Sequence, residues 1–258
     1  MKITGNNVYH LSGCTSTAIS LIARAAFQVV KHIREKQYNA IIISGKSRII
    51  SRVLLEAAWR KVYPGLKMPK IFGFNNRGNQ LLYKDVDVLE DYEQRIGMIE
   101  EFILAEFPDL IFFKDKKVCF VDDFINSGVK GGGLSLAFES LGFKSFEFAF
   151  FLGNNRLNYY PPWFSKISYI AVSEYEVYKE IEERADSLEL FVRPDADSIE
   201  VYQGRVYQGR VYQGRPDLER KFQIFLGLLV KEIKSTQTTA IQVNDSINNF
   251  NSDYHNRD

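Results

Sequence analysis

Val118-Cys119-Phe120-Val121-Asp122-Asp123-Phe124-Ile125-Asn126-Ser127-Gly128 decides how this chain is read. Four apolar residues run into two adjacent carboxylates, and a short polar turn with one glycine follows. Beyond it stand Gly131, Gly132 and Gly133, then an apolar-periodic run from Leu134 to Leu141. The pattern predicts a buried strand over Lys117 to Asp122 that ends in acid, a tight loop, and a helix from Gly132 to Leu141. In open α/β sheets, ligands bind in the crevice beyond the carboxyl ends of the strands. A helix N-terminus with free N–H groups there is an anion site. Two carboxylates beside it suit a sugar diol or a hydrated Mg²⁺ better than they suit a phosphate.

Working outward from this stretch, strand and helix signals alternate. Thr15 to Lys36 has apolar residues at helical spacing, with Ser12 or Thr15 available as a cap, and Ala40 to Ser44 is a short β-branched run. Ser47 to Tyr63 returns to the helical period, Pro69 to Phe74 reads as a strand, and Glu90 to Phe107 reads as a helix. Ser145 to Leu152 and Ile167 to Val172 complete the strands. The alternation predicts an α/β fold with a doubly wound, mainly parallel sheet. Past Val172 it fades: Glu174 to Arg184 is dense in charge and reads as a solvated helix.

A second locus, Ser44-Gly45-Lys46-Ser47-Arg48, follows the isoleucine strand and opens a helix. Its plain reading is a strand–helix turn, with Gly for positive φ and Ser as N-cap. Ala40 to Ser47 also spells A-x-x-x-x-G-K-S, one glycine short of a P-loop, which makes an NTPase a minor alternative. Three of its four variable residues are isoleucines, better used in a buried strand than in a turn wrapped around phosphate. The acids have a plain reading too, as caps of the next turn.

The Val118–Gly128 string resembles the signature of type I phosphoribosyltransferases that binds 5-phosphoribosyl 1-pyrophosphate (PRPP). Asp122 and Asp123 match its acidic pair and Phe124 and Ile125 its spacer, while Asn126, Ser127, Gly128, Val129 and Lys130 fall on its loop. The resemblance implies a type I phosphoribosyltransferase fold and transfer of a phosphoribosyl group to or from a nitrogen base, with pyrophosphate as co-product. It assigns the ribose hydroxyls to Asp122 and Asp123 as the catalytic acids, and the 5′-phosphate to residues 126–130. Pyrophosphate falls to Ser44, Gly45, Lys46, Ser47 and Arg48. Arg77 and Lys84 lie where the family carries a mobile lid. Mg²⁺ is the implied cofactor, carried with the substrate and without a direct protein ligand set. Asn126 and Lys130 depart from the family pattern, each standing where a hydroxyl residue is usual. Lys130 exchanges that hydroxyl for a cation, which keeps open a non-catalytic alternative: a module of the same fold sensing PRPP or a nucleotide. PRPP and a small base or nucleotide are the expected partners, and a homodimer is compatible with the family.

The chain has 258 residues, 45% of them hydrophobic and 14% aromatic, ample for a real core. Its net charge of +1 implies no global pull towards nucleic acid or an anionic membrane, so anion binding must be local. Two cysteines (Cys14, Cys119) and three scattered histidines (His10, His32, His255) offer neither a disulfide framework nor a zinc spacing. No secretory signal pattern and no apolar run of membrane-spanning length stand out, which predicts a cytoplasmic protein without membrane contact.

The expected organisation is a phosphoribosyltransferase-like domain over 1–190, a surface loop over 191–216, a helix over 217–234 and a disordered tail over 235–258. The loop carries Val201-Tyr202-Gln203-Gly204-Arg205 and two further copies through Arg215. Units this short build no solenoid and suit a flexible hairpin. An Arg/Tyr/Gly segment stacking on single-stranded nucleic acid is the lesser reading. Tyr159, Tyr160, Trp163 and Phe164, with Pro161 and Pro162, read as a loop packed on the domain.

Overall fold

A computed structural model describes residues 16–43, 48–73, 90–125, 129–153, 165–173, 200–202, 205–207 and 216–236. The first helix, α1 (Ser16–Lys36), is buried on more than one face, through Ile19, Ile22, Phe27, Val30 and Ile33 and through Ala18, Ala23, Ala25 and Ala26. The alanines let neighbouring elements approach its backbone on several sides. It ends in a Schellman-type cap: Tyr38 N–H donates to Ile33 O (3.4 Å) and Gln37 N–H to Arg34 O (3.2 Å). Gln37 takes φ 58°, a left-handed conformation that a side chain disfavours. That turn delivers Tyr38 and then β1 (Ala40–Ile43), whose four residues are all buried.

The other elements follow as α2 (Arg48–Val62), β2 (Lys70–Gly73), α3 (Glu90–Glu106), a 3₁₀ turn over Pro108–Phe113, β3 (Lys117–Ile125), α4 (Val129–Ser140), β4 (Ser145–Gly153) and β5 (Ile167–Ser173). Five parallel strands form one sheet in the order β2-β1-β3-β4-β5. The expected doubly wound, parallel α/β architecture is therefore present. Winding from β1 out to β2 places α2 on one face. The return across β1 to β3 places α3 on the other, as right-handed crossovers demand when the direction reverses. One core packs Ile41, Ile43, Cys119, Val121 and Phe151 against α1 and α2. The second packs Ile42, Val118, Phe120, Phe148 and Phe150 against Ile99 and Ile103 of α3 and Leu134 and Phe138 of α4.

The final helix, α5 (Pro216–Ser235), docks on the first core through Phe225, Leu229 and Ile233. Ser20 Oγ donates to Glu232 Oε1 (2.6 Å) and Lys61 Nζ to Lys234 O (2.8 Å), tying it to α1 and α2. In the repeats, β6 (Glu200–Tyr202) and β7 (Arg205–Tyr207) pair antiparallel as a separate two-stranded sheet. The charged segment from Glu174, the Tyr159–Phe164 cluster and the Ser12/Thr15 cap lie outside the described residues, as does the tail beyond 236.

Two boundaries beside the acids differ from the sequence reading. β3 runs through Ile125, so the acids lie inside the strand rather than at its end. It can continue because β4 accompanies it to the end, with Phe124 opposite Leu152 and Ile125 opposite Gly153. α4 starts at Val129, three residues before the helix read from Gly132, so Val129, Lys130 and Gly131 belong to its first turn and not to a loop. Glycine weakens a helix by about 1 kcal/mol against alanine. Here it permits close packing, since a Cβ on Gly133 would stand 3.3 Å from Ile99 Cδ1 of α3. Arg48 opens α2, in keeping with the helix read from Ser47 to Tyr63.

Candidate active-site crevice

The sheet order reverses at β1, so β1 and β3 lie side by side while their chains leave in opposite directions. Such a switch point opens a crevice at the carboxyl ends of the two strands. β1 stops at Ile43, opposite Val121, and β3 continues for four more residues, Asp122 to Ile125. The two acids therefore stand just past the end of β1, on the rim of that crevice. Both are buried, Asp122 at 3% and Asp123 at 8% exposure. Asp122 Oδ1 accepts the backbone N–H of Asp123 at 3.1 Å, in the stretch where β1 no longer runs alongside. This bond engages one carboxylate oxygen and steadies the acid.

Consecutive residues of a strand project to opposite sides, so the acids are not a ready chelating pair. Among the described residues no group of three or more His, Cys, Asp and Glu is placed to hold a metal. The donor set does fit Mg²⁺ in one way: hard carboxylate oxygens, one or two per ion, completed by oxygens of a bound substrate and water.

Helix N-termini border the crevice from both strands. α4 begins four residues after Ile125 and α2 five after Ile43, so their first-turn N–H groups belong to the rim. Val129 and Lys130 are the first residues of α4 and Arg48 the first of α2. Asn126, Ser127 and Gly128 lie outside the described residues, as do Ser44, Gly45, Lys46 and Ser47 and the lid residues Arg77 and Lys84. Of the fourteen candidate residues, the structure thus places Asp122 and Asp123 with their side chains, and Val129, Lys130 and Arg48 by backbone. The P-loop alternative loses its loop, because Ala40 to Ile43 are buried strand.

Gly153, opposite Ile125 at the end of β4, has no room for a side chain: a Cβ there would lie 2.4 Å from Ile170 Cγ2. The sequence reading did not single it out, since nothing marks its neighbour seventeen residues away. Two surface clefts, of about 400 and 470 Å³, lie elsewhere, along Trp59 and Ile71 and between Gly97 and Leu136. Neither touches the acids.

Sequence reading also missed a polar cluster at the opposite, amino end of the sheet, in which His32 and Tyr38 are buried and Glu147 and Ser168 half-buried. Tyr38 O–H donates to Glu147 Oε2 (2.6 Å), Ser168 O–H donates to Phe148 O (3.0 Å), and His32 Nε2 lies 3.1 Å from Ser168 Oγ. Tyr38 and Glu147, and His32 and Ser168, stand more than a hundred residues apart in sequence, so no local motif announces them. Burial pushes the Tyr38 phenol and the Cys119 thiol well above their ordinary values. Cys119 is therefore an inert core residue, as expected of a cysteine inside a buried strand.

No known protein-family model matches the chain, and no curated protein matches it in sequence. Solved structures similar to it include a hypoxanthine-guanine phosphoribosyltransferase from Schistosoma mansoni in complex with IMP. That pair is 17% identical, with 61% of this chain and 65% of the schistosome chain covered and a TM-score of 0.36. The chain thus spans less than two thirds of that protein's length. Two structures of a hypoxanthine-guanine phosphoribosyltransferase from Bacillus anthracis are each 13% identical over 67% of this chain, with TM-scores of 0.34. They are covered to 85% and 84% of their own lengths.

No helix among the described residues is long and apolar enough to cross a membrane.

Proposed function

We propose that this protein binds PRPP with Mg²⁺ at the β1–β3 crevice and transfers the phosphoribosyl group to or from a nitrogen base. One observation carries the reading: two buried acids stand just past the end of β1, at the switch point of a parallel sheet, with a helix N-terminus following each strand. In this reaction a nitrogen nucleophile bonds to ribose C1 while the C1–O bond to pyrophosphate breaks, its electron pair leaving on pyrophosphate. Positive charge develops on the sugar ring, and carboxylates fixed beside the ring stabilise it electrostatically. Asp122 and Asp123 supply that field and accept hydrogen bonds from the ribose hydroxyls.

The residues from 126 to the first turn of α4 hold the 5′-phosphate, with Lys130 as the cation. Residues 44–48 face pyrophosphate, and Arg77 and Lys84 close over it. Mg²⁺, when bound, neutralises charge on the pyrophosphate.

The test is to incubate the protein with PRPP, Mg²⁺ and a panel of bases, measuring pyrophosphate release together with PRPP affinity. Turnover on any base supports the transferase. Tight PRPP binding without turnover on any base supports the sensor reading, which the replacement of a loop hydroxyl by Lys130 favours. Absence of PRPP binding removes both.

A further inference from the structure

The amino-end cluster joins three parts of the chain. His32 lies near the end of α1, 7% exposed, with its ring stacked on Tyr169 at 4.7 Å between centroids. Tyr38 follows the α1 cap, Glu147 is on β4, and Ser168 and Tyr169 are on β5. The hydrogen count fixes the imidazole's role. Tyr38 gives its hydroxyl hydrogen to Glu147 at 2.6 Å, and Ser168 gives its own to Phe148 O at 3.0 Å. The 3.1 Å contact between His32 Nε2 and Ser168 Oγ is then made by an imidazole N–H, with the Tyr38 hydroxyl 3.4 Å away as a second acceptor. A neutral imidazole satisfies this network, whereas a second proton would put a positive charge on a side chain that is itself buried. We propose that His32, Tyr38, Glu147 and Ser168 form an acid-sensitive clasp, which holds the end of α1 against β4 and β5 and loosens when His32 takes up a proton.

The charged and titratable groups around the ring support this. Burial pulls the imidazole down to about 4; Lys36, one turn along α1, adds to the fall, and Glu147 on β4 opposes it. Tyr38 stays protonated, as does Cys119 on β3, while β5 presents only Ser168 and Tyr169. An unfolded histidine titrates near 6.5. The clasp's contribution is therefore complete above about pH 6.5, shrinks as pH falls towards about 4, and changes no further below that. Within the window each pH unit weakens the closed form about tenfold.

The experiment compares the intact protein with His32→Gln, whose amide can still donate to Ser168 but does not titrate. Between pH 7.5 and 5.5 the urea-derived unfolding constant of the parent should rise about tenfold more than that of the variant. A parallel loss in both overturns the clasp. An NMR titration of the parent's three imidazoles decides the matter even if the variant fails to fold. One ring still neutral at pH 5.5 sustains the proposal, whereas midpoints near 6.5 for all three defeat it.

Discussion

The two ends of the parallel sheet both hold polar groups, but in different surroundings. At the amino end, Tyr38 donates to Glu147, Ser168 to Phe148 O and His32 to Ser168, all within about 3 Å and between an α-helix and two strands, with neither of the two clefts near them. At the carboxyl end, two carboxylates sit where a neighbouring strand has stopped, beside the connections into two helix N-termini. A satisfied network stabilises the fold and offers nothing to a ligand. Under the proposed function, the buried acids of β3 would instead serve a ligand, accepting from ribose hydroxyls beside a developing positive charge. Substitutions at the two ends should therefore separate stability from binding.

The largest expected effect is at the carboxyl end. Replacing Asp122 and Asp123 together by Asn should weaken PRPP binding at least tenfold, about 1.4 kcal/mol, since a hydrogen bond to a charged group contributes roughly 1.5–3 kcal/mol. Calorimetry that finds unchanged affinity would remove the acids from the site. Lys130→Glu should lose binding to a similar degree through charge reversal. Because residue 130 lies in the first turn of α4, the same change should leave stability level or raise it by about 0.3–1 kcal/mol, as an acid does there. Lys130→Thr, which restores the usual hydroxyl, should keep binding and reduce its salt dependence. If Lys130→Glu binds PRPP like the parent, the start of α4 does not hold phosphate.

At the amino end the signs exchange. Tyr38→Phe removes the donor to Glu147 and should cost roughly 1.5–3 kcal/mol of stability by urea unfolding. PRPP affinity of the folded fraction should not move. Coupled losses of both would show that the two ends of the sheet are one mechanical unit.

Much of this was legible in the sequence, for identifiable reasons. Every core strand was marked by a local apolar run, and Ala40 to Ile43 and Val118 to Val121 are strands as read. The acids stood out because charge directly after such a run is physically expensive without a purpose. The strand's continuation to Ile125 was not legible, since it depends on β4 running alongside, a pairing across some thirty residues. Nor was the start of α4: Gly131, Gly132 and Gly133 argue against a helix locally, and only the tight approach of Ile99 to Gly133 accounts for one of them in place. The His32 cluster had no local signature at all.

Two glycines give a sharper, smaller test of what packing demands. Gly153→Ala drives a Cβ against the β-branched Ile170, 2.4 Å from its Cγ2, in a strand where that side chain has little freedom. A loss of about 1–3 kcal/mol is expected. Gly133→Ala meets only the tip of Ile99 at 3.3 Å and gains helix propensity of about 1 kcal/mol. Its net change should be close to zero. Equal destabilisation by both would mean that the α3–α4 contact is as unyielding as the β4–β5 contact.

The smallest effect should come from the repeats. Their first two units form a hairpin, with Val201 opposite Val206 and Tyr202 opposite Arg205, that shares no ladder with the five-stranded sheet. Removing residues 206–215, two of the three units, takes away most of β7 and shortens the connection to α5. Loop-closure entropy changes by only about 0.6 kcal/mol per doubling of length, and a two-stranded hairpin alone is marginally stable. Provided that α5 keeps its hold on α1 and α2 through Phe225, Leu229 and Ile233, the melting temperature should shift by no more than a few degrees, on the order of 1 kcal/mol. PRPP affinity should be unchanged. A collapse of the fold on this deletion would mean that the connection sets where α5 docks. The repeats would then be an element of the first core rather than an expansion beside it.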